Sequence, residues 1–333
     1  MAQRPDLSVV APVFDEGAQV DAFYERVSDV LTRAGYAWEL ILVDDGSTDD
    51  TFARLCALHE RDPRVKVIQL ARNFGHQTAI SAGLDRAAGA CVAIMDADLQ
   101  DPPELLPVMA GRLNDGYDIA YGVRAIRKDE GWFKQATSYL FYRAFKAIAN
   151  VPIPVDAGDF CVMRREVAVA ITRLPERHRF LRALRGWFGF RQVGVPYDRS
   201  ERSGGRTKFT WWKMLQFSLD GVLSFSELPL RFASWVGCLV AFASLVGVGV
   251  VFYLRLFTDR SIPGFATITI VVLFLGGVQL LAVGLLGEYI SRIFDEVKGR
   301  PLYVARTVLG WDRDDEGALA PARQPYAGME IRE

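Results

Sequence analysis

The sequence contains few of the residues that build metal or disulfide sites. Its four cysteines, Cys56, Cys91, Cys161 and Cys238, lie far apart without a Cys-x-x-Cys pair, and its three histidines show no ligand spacing. We therefore expect neither a zinc site nor a disulfide framework, and a reducing compartment. Neither sign of charge is in excess, with 39 Lys and Arg against 40 Asp and Glu. Because nonspecific nucleic-acid binding requires a basic surface, we expect no nucleic acid partner.

A secretory signal is also absent from the first thirty residues. Their apolar stretch, 7–14, is short, contains Pro12 and predicts a strand. We therefore expect this part of the chain to stay in the cytoplasm. The total of 333 residues, half of them apolar, predicts about two domains.

Long uncharged apolar runs occur twice near the carboxyl end, at 232–254 and 265–287. Each is long enough to cross a hydrocarbon core of roughly 30 Å as a helix, so we expect a transmembrane domain of two helices at 231–293. Buried helices of a globular core are the alternative. Soluble helices rarely stay apolar on every face for this length.

The flanking charges predict the orientation of these runs. More basic residues flank the runs than lie in the link between them. The flanking residues are Arg231, Arg292, Lys298, Arg300 and Arg306, and those in the link are Arg255 and Arg260. By the positive-inside rule we expect both termini and the catalytic part in the cytoplasm, at the inner (plasma) membrane.

Amphipathic segments adjoin both runs. At 208–230 apolar residues recur at helical spacing beside Trp211 and Trp212, which predicts interfacial helices lying on the membrane. After the second run, alternating apolar and charged residues continue the helix until Gly299, Arg300 and Pro301. We expect 294–333 to be a cytoplasmic tail, which becomes loose from Asp312 onward.

The region 1–207 alternates short apolar runs with helical patterns. Strands are predicted at 9–14, 40–43, 65–70, 91–95 and 119–123, separated by helices such as 20–34. This pattern is typical of an α/β domain with a mainly parallel, Rossmann-like sheet. In such sheets ligands bind at the carboxyl ends of the strands.

Acidic residues follow two of these predicted strands. Asp44 and Asp45 follow the second, and Asp96, Asp98 and Gln100 follow the fourth. Taken singly, each such Asp has an alternative role as a helix cap or turn former. Together, the oxygens of Asp96, Asp98 and Gln100 are the hard ligands that Mg²⁺ or Mn²⁺ prefers when it bridges a diphosphate. The sequence therefore predicts a divalent metal on a nucleotide diphosphate.

Several short motifs resemble those of the polyprenyl-phosphate glycosyltransferases. The motifs are Asp-Asp-Gly-Ser at 44–47, Arg-Asn-Phe-Gly at 72–75, the acidic stretch 96–104, Gly-Asp-Phe at 158–160, the basic stretch 199–208, Gly-Glu-Tyr at 287–289 and Lys-Gly-Arg-Pro-Leu-Tyr at 298–303. That family consists of GT-A-fold enzymes of glycosyltransferase family two, including dolichol-phosphate mannose synthases and bacterial enzymes that charge undecaprenyl phosphate with glucose.

The resemblance implies a role for each matching residue. The nucleotide sugar would be held by Pro12, Glu16, Asp44, Asp45, Asp96 and Arg202. The metal ligands would be Asp96, Asp98 and Gln100. The lipid phosphate would be bound by Arg124, Lys134, Ser138, Arg202 and Lys208. The catalytic residues would be Asp159, facing the reacting centre, with Asp98, Arg124 and Lys208.

Three of these assignments have alternatives. Asp159 is expected to orient the acceptor or take a residual proton, but it also suits a cap on a strand at 160–163. Lys134 suits a solvated surface charge equally well. The basic stretch 199–208 is expected to meet anionic lipid, with a solvated face as the alternative. Cys161 departs from the family pattern, because many relatives carry Arg there.

The expected reaction is transfer of glucose from UDP-glucose to undecaprenyl phosphate in one in-line, inverting step. GDP-mannose with dolichol phosphate, or a modified pentose donor, is the alternative substrate pair. A non-catalytic membrane scaffold with a vestigial sugar-nucleotide site is the alternative of a different class. A homo-oligomer is expected from the resemblance alone.

Overall fold

The computed structural model describes residues 4–124, 157–177, 179–198 and 264–311, with scattered positions between 233 and 257. The chain divides into two compact units. The first contains Met1–Arg143, Val151–Lys208 and Arg300–Glu333, and the second contains Ala144–Asn150 and Phe209–Gly299. The interfacial helices predicted at 208–230 and the end of the tail, 312–333, lie outside the described residues.

The first unit contains one mixed sheet and the helices that cover it. The strands are β1 (Leu7–Val13), β2 (Trp38–Asp44), β3 (Val65–Leu70), β4 (Cys91–Ile94), β5 (Ile119–Arg124), β6 (Ala157–Arg164), β7 (Gln192–Tyr197) and β8 (Ala305–Leu309). The helices are α1 (Gly17–Arg33), α2 (Thr51–Arg61), α3 (His76–Arg86), α4 (Leu105–Asn114), α5 (Arg165–Arg173) and α6 (Leu181–Trp187).

The strand order is β7-β5-β6-β4-β1-β2-β3-β8. β1 pairs in parallel with β2 and β4, β2 with β3, and β5 with β7, whereas β6 and β8 are antiparallel to their neighbours. Every residue of β1 and β2 is buried. Strands covered on both faces need no polar alternation, which explains their continuous apolar runs. The prediction of an α/β domain with a mainly parallel sheet is confirmed.

β8 lies in the segment that the sequence predicts to be a tail. It pairs antiparallel with the edge of β3, with Ile68 opposite Val308 and Leu70 opposite Ala305. The chain that follows the second apolar run therefore returns to the sheet of the first unit. The reason this was not expected is that β8, with the sequence Ala-Arg-Thr-Val-Leu, is short and only partly buried, so its apolar pattern is weak.

The long helix of the second unit is α7 (Phe265–Val297). It begins with the second predicted run and continues through the predicted amphipathic extension, and Gly299 then takes a left-handed φ of 60°. Within the described residues, one stretch is long and apolar enough to cross a membrane, Phe274–Val297. Two spans are therefore not confirmed, although the described positions of the first run are helical.

Large apolar side chains of α7 are exposed, among them Ile268, Phe274, Leu280, Ile290 and Val297. Soluble proteins rarely expose a contiguous apolar surface of this length to water. Such a surface is typical of a helix that lies in a bilayer or against another protein surface.

Candidate active site

The carboxyl edge of the sheet brings two predicted acidic residues together. β4 ends at Ile94, which lies opposite Cys161 of the antiparallel strand β6. Continuing this register by two residues places Asp96 beside Asp159. Two motifs that are more than sixty positions apart in the sequence thus meet because β6 runs against β4.

His76 joins these two carboxylates. It is the first residue of α3, which follows the carboxyl end of β3. Its Nε2 atom lies 3.5 Å from Oδ1 of Asp96 and 3.5 Å from Oδ2 of Asp159. The site therefore contains a histidine that the sequence analysis did not assign to any role.

Further side chains hold Asp159 in place. Nε2 of Gln77 donates a hydrogen bond of 2.9 Å to Oδ2 of Asp159, while Oε1 of Gln77 accepts one of 3.1 Å from the backbone N–H of Leu181. Nε of Arg182 lies 3.2 Å from Oδ1 of Asp159. One glutamine side chain thus ties Asp159 to the start of α6, and α6 supplies the arginine beside it.

A buried arginine lies behind this cluster. Arg185 is 2% exposed, and its Nη2 donates to the backbone oxygen of Gly158 over 3.1 Å. Burial raises the pKa of the Cys161 thiol, and the adjacent Arg185 opposes that effect. A cation from α6 therefore lies next to position 161, where the family resemblance leads one to expect an arginine in the strand itself.

These contacts shift the ionisation of the three central groups. Burial raises the pKa of Asp159, but His76 and Arg182 lower it by more, so the pKa lies far below its usual range. Burial lowers the pKa of His76, but Asp159 and Asp96 raise it by more. Burial and the nearby carboxylates, chiefly Asp159, raise the pKa of Asp96 to about 6 despite His76. Burial is therefore the main cause of the raised pKa of Asp96, and the nearby carboxylates add to it.

The loop after β4 presents Asp98 and Gln100 in a constrained conformation. Asp98 is 7% exposed, and its Oδ1 accepts a hydrogen bond of 3.1 Å from the backbone N–H of Gln100. Leu99 between them has a φ of 57°, a conformation that is uncommon for a bulky residue. The buried Asp101 accepts a hydrogen bond from the hydroxyl of Tyr197 at the end of β7. Such local strain often marks a functional loop.

The predicted metal ligands fit a shared rather than an enclosed cation site. Oδ1 of Asp96 is buried and accepts no hydrogen bond, although Nε2 of His76 lies 3.5 Å from it. Within the described part of the chain, no group of three or more His, Cys, Asp or Glu residues is arranged to hold a metal ion alone. Two carboxylates and an amide oxygen are ligand types that suit a divalent ion whose remaining ligands come from substrate and water.

The predicted nucleotide residues line the ends of β1 and β2. Pro12 is buried opposite Val43. Asp44 is fully buried. Its Oδ1 accepts a hydrogen bond of 2.9 Å from the backbone N–H of Ser47, and its Oδ2 accepts none. The N–H of Glu16 donates 3.1 Å to the hydroxyl of Thr51. Asp44 therefore caps the turn with one oxygen, and its contact with a nucleotide stays a prediction.

Asp45 has a different set of contacts. Its two carboxylate oxygens accept the backbone N–H groups of Phe74 (2.7 Å) and Gly75 (3.0 Å). Gly46, with a φ of 74°, lies so close to Arg72 that a Cβ would meet its carbonyl carbon at 2.6 Å. These contacts position the loop that leads to His76, and a contact between Asp45 and nucleotide stays a prediction.

The side chains of the predicted phosphate-binding residues are not among those that the structure describes. Arg124 ends β5 opposite Tyr197, but its side chain is not described. The other residues in this group are Lys134, Ser138, Arg202 and Lys208. Their roles stay predictions.

Sequence reasoning missed His76, Gln77 and Arg182. The available signal for the first two was their position, because they directly follow the Arg-Asn-Phe-Gly motif after the third predicted strand. Arg182 had no comparable signal, since α6 reaches Asp159 through tertiary packing alone.

Two family models match the chain. The model described as glycosyl transferase family 2 matches residues 8–171, and the model described as the GtrB C-terminal hairpin matches residues 228–293. The first match covers the loops that carry Asp44, His76, Asp96 and Asp159 but ends before α6. The second covers both predicted apolar runs.

Curated relatives match along nearly their whole length. The chain is 42% identical over 310 residues to an uncharacterised glycosyltransferase of Bacillus subtilis, YkcC, covering 93% of this chain and 96% of that one. It is 38% identical over 301 residues to the SfII prophage-derived bactoprenol glucosyl transferase of Shigella flexneri, covering 90% and 97%. A solved structure of glucosyl-3-phosphoglycerate synthase from Mycobacterium tuberculosis with Mn²⁺, UDP and product is 21% identical, with a TM-score of 0.45 over 68% of this chain and 81% of that chain.

Proposed function

The chain belongs to glycosyl transferase family 2, among relatives of the bactoprenol glucosyl transferases, and on this premise we propose that it transfers glucose from UDP-glucose to the phosphate of a polyprenyl phosphate, undecaprenyl phosphate, at the cytoplasmic leaflet. The observation that carries this proposal is the convergence of Asp96, Asp159 and His76 at the carboxyl edge of the sheet. Ligands of parallel sheets bind at this edge.

We propose that Asp96, Asp98 and Gln100 hold Mg²⁺ or Mn²⁺ together with the donor diphosphate. Such an ion supplies neutralisation of the charge that develops on the leaving diphosphate. The buried Oδ1 of Asp96, which accepts no hydrogen bond and has Nε2 of His76 3.5 Å away, supports the assignment.

The remaining acidic residues divide between the donor and the reacting centre. Pro12, Glu16 and the unbonded oxygen of Asp44 support a nucleoside pocket at the ends of β1 and β2. Asp159 is proposed to orient the acceptor. Because its pKa is far below the usual range, it serves poorly as a proton acceptor at neutral pH.

A strong base is not required for this reaction. The second ionisation of a phosphate monoester has a pKa near 6, so the acceptor is largely a dianion at neutral pH. In the proposed step a phosphate oxygen forms a bond to the anomeric carbon while the bond to the nucleoside diphosphate breaks on the opposite face, which inverts the configuration. Cationic residues would steady both phosphate groups, and the candidates are Arg124, Lys134, Arg202 and Lys208, with Ser138 as a neutral donor.

Chain topology supports two membrane crossings rather than one. The chain leaves the sheet after β7 and returns to the same sheet as β8, so the number of crossings between them is even. If Phe274–Val297 crosses, a second crossing must lie between 198 and 264. The run at 232–254 is the apolar segment of sufficient length there, and the hairpin family model includes it. We propose two spans, with both termini on the cytoplasmic side.

The same sheet supports an active site that serves a membrane-bound acceptor. β7 ends at the carboxyl edge, since Tyr197 lies opposite Arg124, and β8 begins there, since Ala305 lies opposite Leu70. The chain thus leaves the sheet of the first unit, and rejoins it, at the edge that carries Asp96. A polyprenyl tail leaves the bilayer only at a cost of about 0.8 kcal/mol per methylene, so a site near its anchor is required.

The proposal is tested by incubating the purified full-length protein with undecaprenyl phosphate, Mg²⁺ or Mn²⁺, and UDP-glucose, GDP-mannose or a UDP-pentose in parallel. Lipid products are identified by mass spectrometry. We expect a hexosyl-phosphate lipid from UDP-glucose and none without a divalent metal. Product from GDP-mannose or the pentose alone would overturn the donor assignment but retain the reaction class.

A scaffold without activity is distinguished in the same preparation. UDP with metal should raise the unfolding temperature of an enzyme of this class through binding to the folded state. Neither product nor UDP-dependent stabilisation would favour the scaffold. Mass photometry of the same sample tests the proposed homo-oligomer.

A further inference from the structure

Residues 300–311, called the strap below, contact the α3 region at both of its ends. The backbone N–H of Ala71, just before the loop that leads to α3, donates 2.8 Å to the carbonyl oxygen of Val304. The hydroxyl of Tyr303 donates 3.0 Å to Oδ2 of Asp85, the last residue but one of α3. Neighbouring strap residues thus bind the entry to α3 and its far end.

α3 matters because of what its first turn carries. His76 contacts both central carboxylates, and Gln77 donates to Asp159. An α-helix of eleven residues is about 16 Å long and behaves as a rigid rod. A constraint on Asp85 therefore limits how far His76 and Gln77 move at the other end.

The strap is itself firmly held to the first unit. Beyond the β3–β8 ladder, the hydroxyl of Thr307 donates 3.2 Å to Oε1 of Gln69. The ammonium of Lys66 on β3 lies 5.0 Å from the ring centre of Trp311. The strap can therefore act as a fixed support for α3.

The hydroxyl of Tyr303 keeps the proton that it donates to Asp85. Burial, with the adjacent Asp85 carboxylate, raises the pKa of Tyr303 well above its usual value. The phenol thus remains a donor throughout the physiological range. This hydroxyl reaches the helix that carries His76 from a strap more than two hundred positions away in sequence.

We propose that Tyr303 is a positioning residue for transfer: through Asp85 it holds α3 so that His76 and Gln77 keep Asp159 correctly oriented. This inference rests on the proposed function of the same site. It makes the segment immediately after α7 part of the catalytic machinery, although no strap residue touches a reacting group.

The test compares Tyr303→Phe, which removes one hydroxyl, with Thr307→Val, which removes another strap hydrogen bond that does not reach α3. In the full-length protein, Tyr303→Phe should lower kcat about three- to tenfold, the worth of one such bond, with KM for UDP-glucose unchanged. Thr307→Val should leave kcat within about twofold at a comparable unfolding temperature. Equal losses of kcat in the two variants would mean a merely structural role and overturn the proposal.

A conservative pair checks that the effect runs through Asp85. Asp85→Asn retains an acceptor oxygen and should keep most activity, whereas Asp85→Ala should lose at least as much as Tyr303→Phe, because Asp85 also faces Arg86 and Arg179. The double variant Tyr303→Phe, Asp85→Ala should lose no more than Asp85→Ala alone, because the bond to Tyr303 is already absent there. Additive losses would overturn the proposal.

Amide hydrogen exchange gives a readout that needs no turnover. Tyr303→Phe should accelerate exchange in residues 76–86, and Thr307→Val should not. If the wild-type protein transfers no sugar from any donor, the proposed function fails, while this exchange comparison still decides whether the strap restrains α3. Unchanged exchange in Tyr303→Phe overturns the inference.

Discussion

Gln77 donates a hydrogen bond of 2.9 Å to Asp159, although the two residues are 82 positions apart in the chain. The other end of the same amide accepts the N–H of Leu181 at the start of α6. Gln77 therefore links the helix that carries His76, the strand that carries Asp159 and the helix that carries Arg182.

Replacing Gln77 should separate the orientation of Asp159 from the stability of α6. Gln77→Leu loses both hydrogen bonds and should lower the free energy of unfolding by about 1 to 2 kcal/mol and kcat about tenfold or more. Gln77→Glu retains an acceptor for Leu181 but places a carboxylate against the ionised Asp159, so it should lower kcat and also cost stability through like-charge repulsion. Thermal unfolding and product formation measure the two effects, and wild-type kcat in Gln77→Glu would contradict this role.

Asp98→Asn should abolish most sugar transfer while leaving the fold intact. The amide oxygen can still accept the N–H of Gln100, but a neutral side chain is a poor ligand for a divalent cation. We expect kcat to fall about 100-fold or more, with an unchanged unfolding temperature. Asp115→Asn, at an exposed position, is the matched control and should retain full activity. Full activity in Asp98→Asn would remove Asp98 from the metal site.

The catalytic unit should need β8 as well as its amino-terminal part. Cutting after Gln216 removes β8 and exposes the edge of β3, so we expect the unfolding temperature to fall by about 5 to 10 °C. Joining residues 198 and 300 should restore it. Because β7 and β8 lie at opposite edges of the sheet, about 34 Å apart, a flexible linker of about 40 residues is required.

Both shortened proteins also test the anchoring role. They should bind UDP, measured by calorimetry, but use long-chain polyprenyl phosphate poorly. Undiminished use of that acceptor by the linked protein would contradict a need for the apolar segments.

The free energy of unfolding of the first unit should depend on pH through the ionisation of Asp62. Burial raises the pKa of this carboxyl, but Arg64, with hydrogen bonds of 2.8 to 3.2 Å, and Tyr24 lower it by more. A carboxyl whose folded pKa is depressed stabilises the fold above its unfolded pKa of about 3.9, and this contribution is lost as pH falls through the folded value. Asp62→Asn should therefore be less stable than wild type at pH 7, and the difference should shrink below about pH 4. A pH-independent difference would contradict the ionic origin.

The parallel strands could be predicted because their signal is local. β1 to β4 are mostly buried and rich in apolar, β-branched residues, with few polar interruptions such as Glu39 and Lys66, so the sequence displays them directly. The acidic residues that follow them could be predicted as ligands by the same rule. β8 could not, because an edge strand of five partly buried residues has little apolar pattern.

His76, Gln77 and Arg182 also escaped prediction, but the reason differs from that for β8. His76, Gln77 and Arg182 have no distinctive local pattern, and their meaning comes from contact with Asp159 on an antiparallel strand. That contact depends on strand order and on the packing of α6. Only the assembled sheet shows which helix termini meet.

The position of β8 also has a consequence in time. During synthesis from the amino terminus, β3 is made long before β8, and the apolar segments emerge between them. The nascent domain therefore exposes an unpaired strand edge until the last tenth of the chain leaves the ribosome. The sheet of the first unit is therefore completed only after both long apolar runs have been translated.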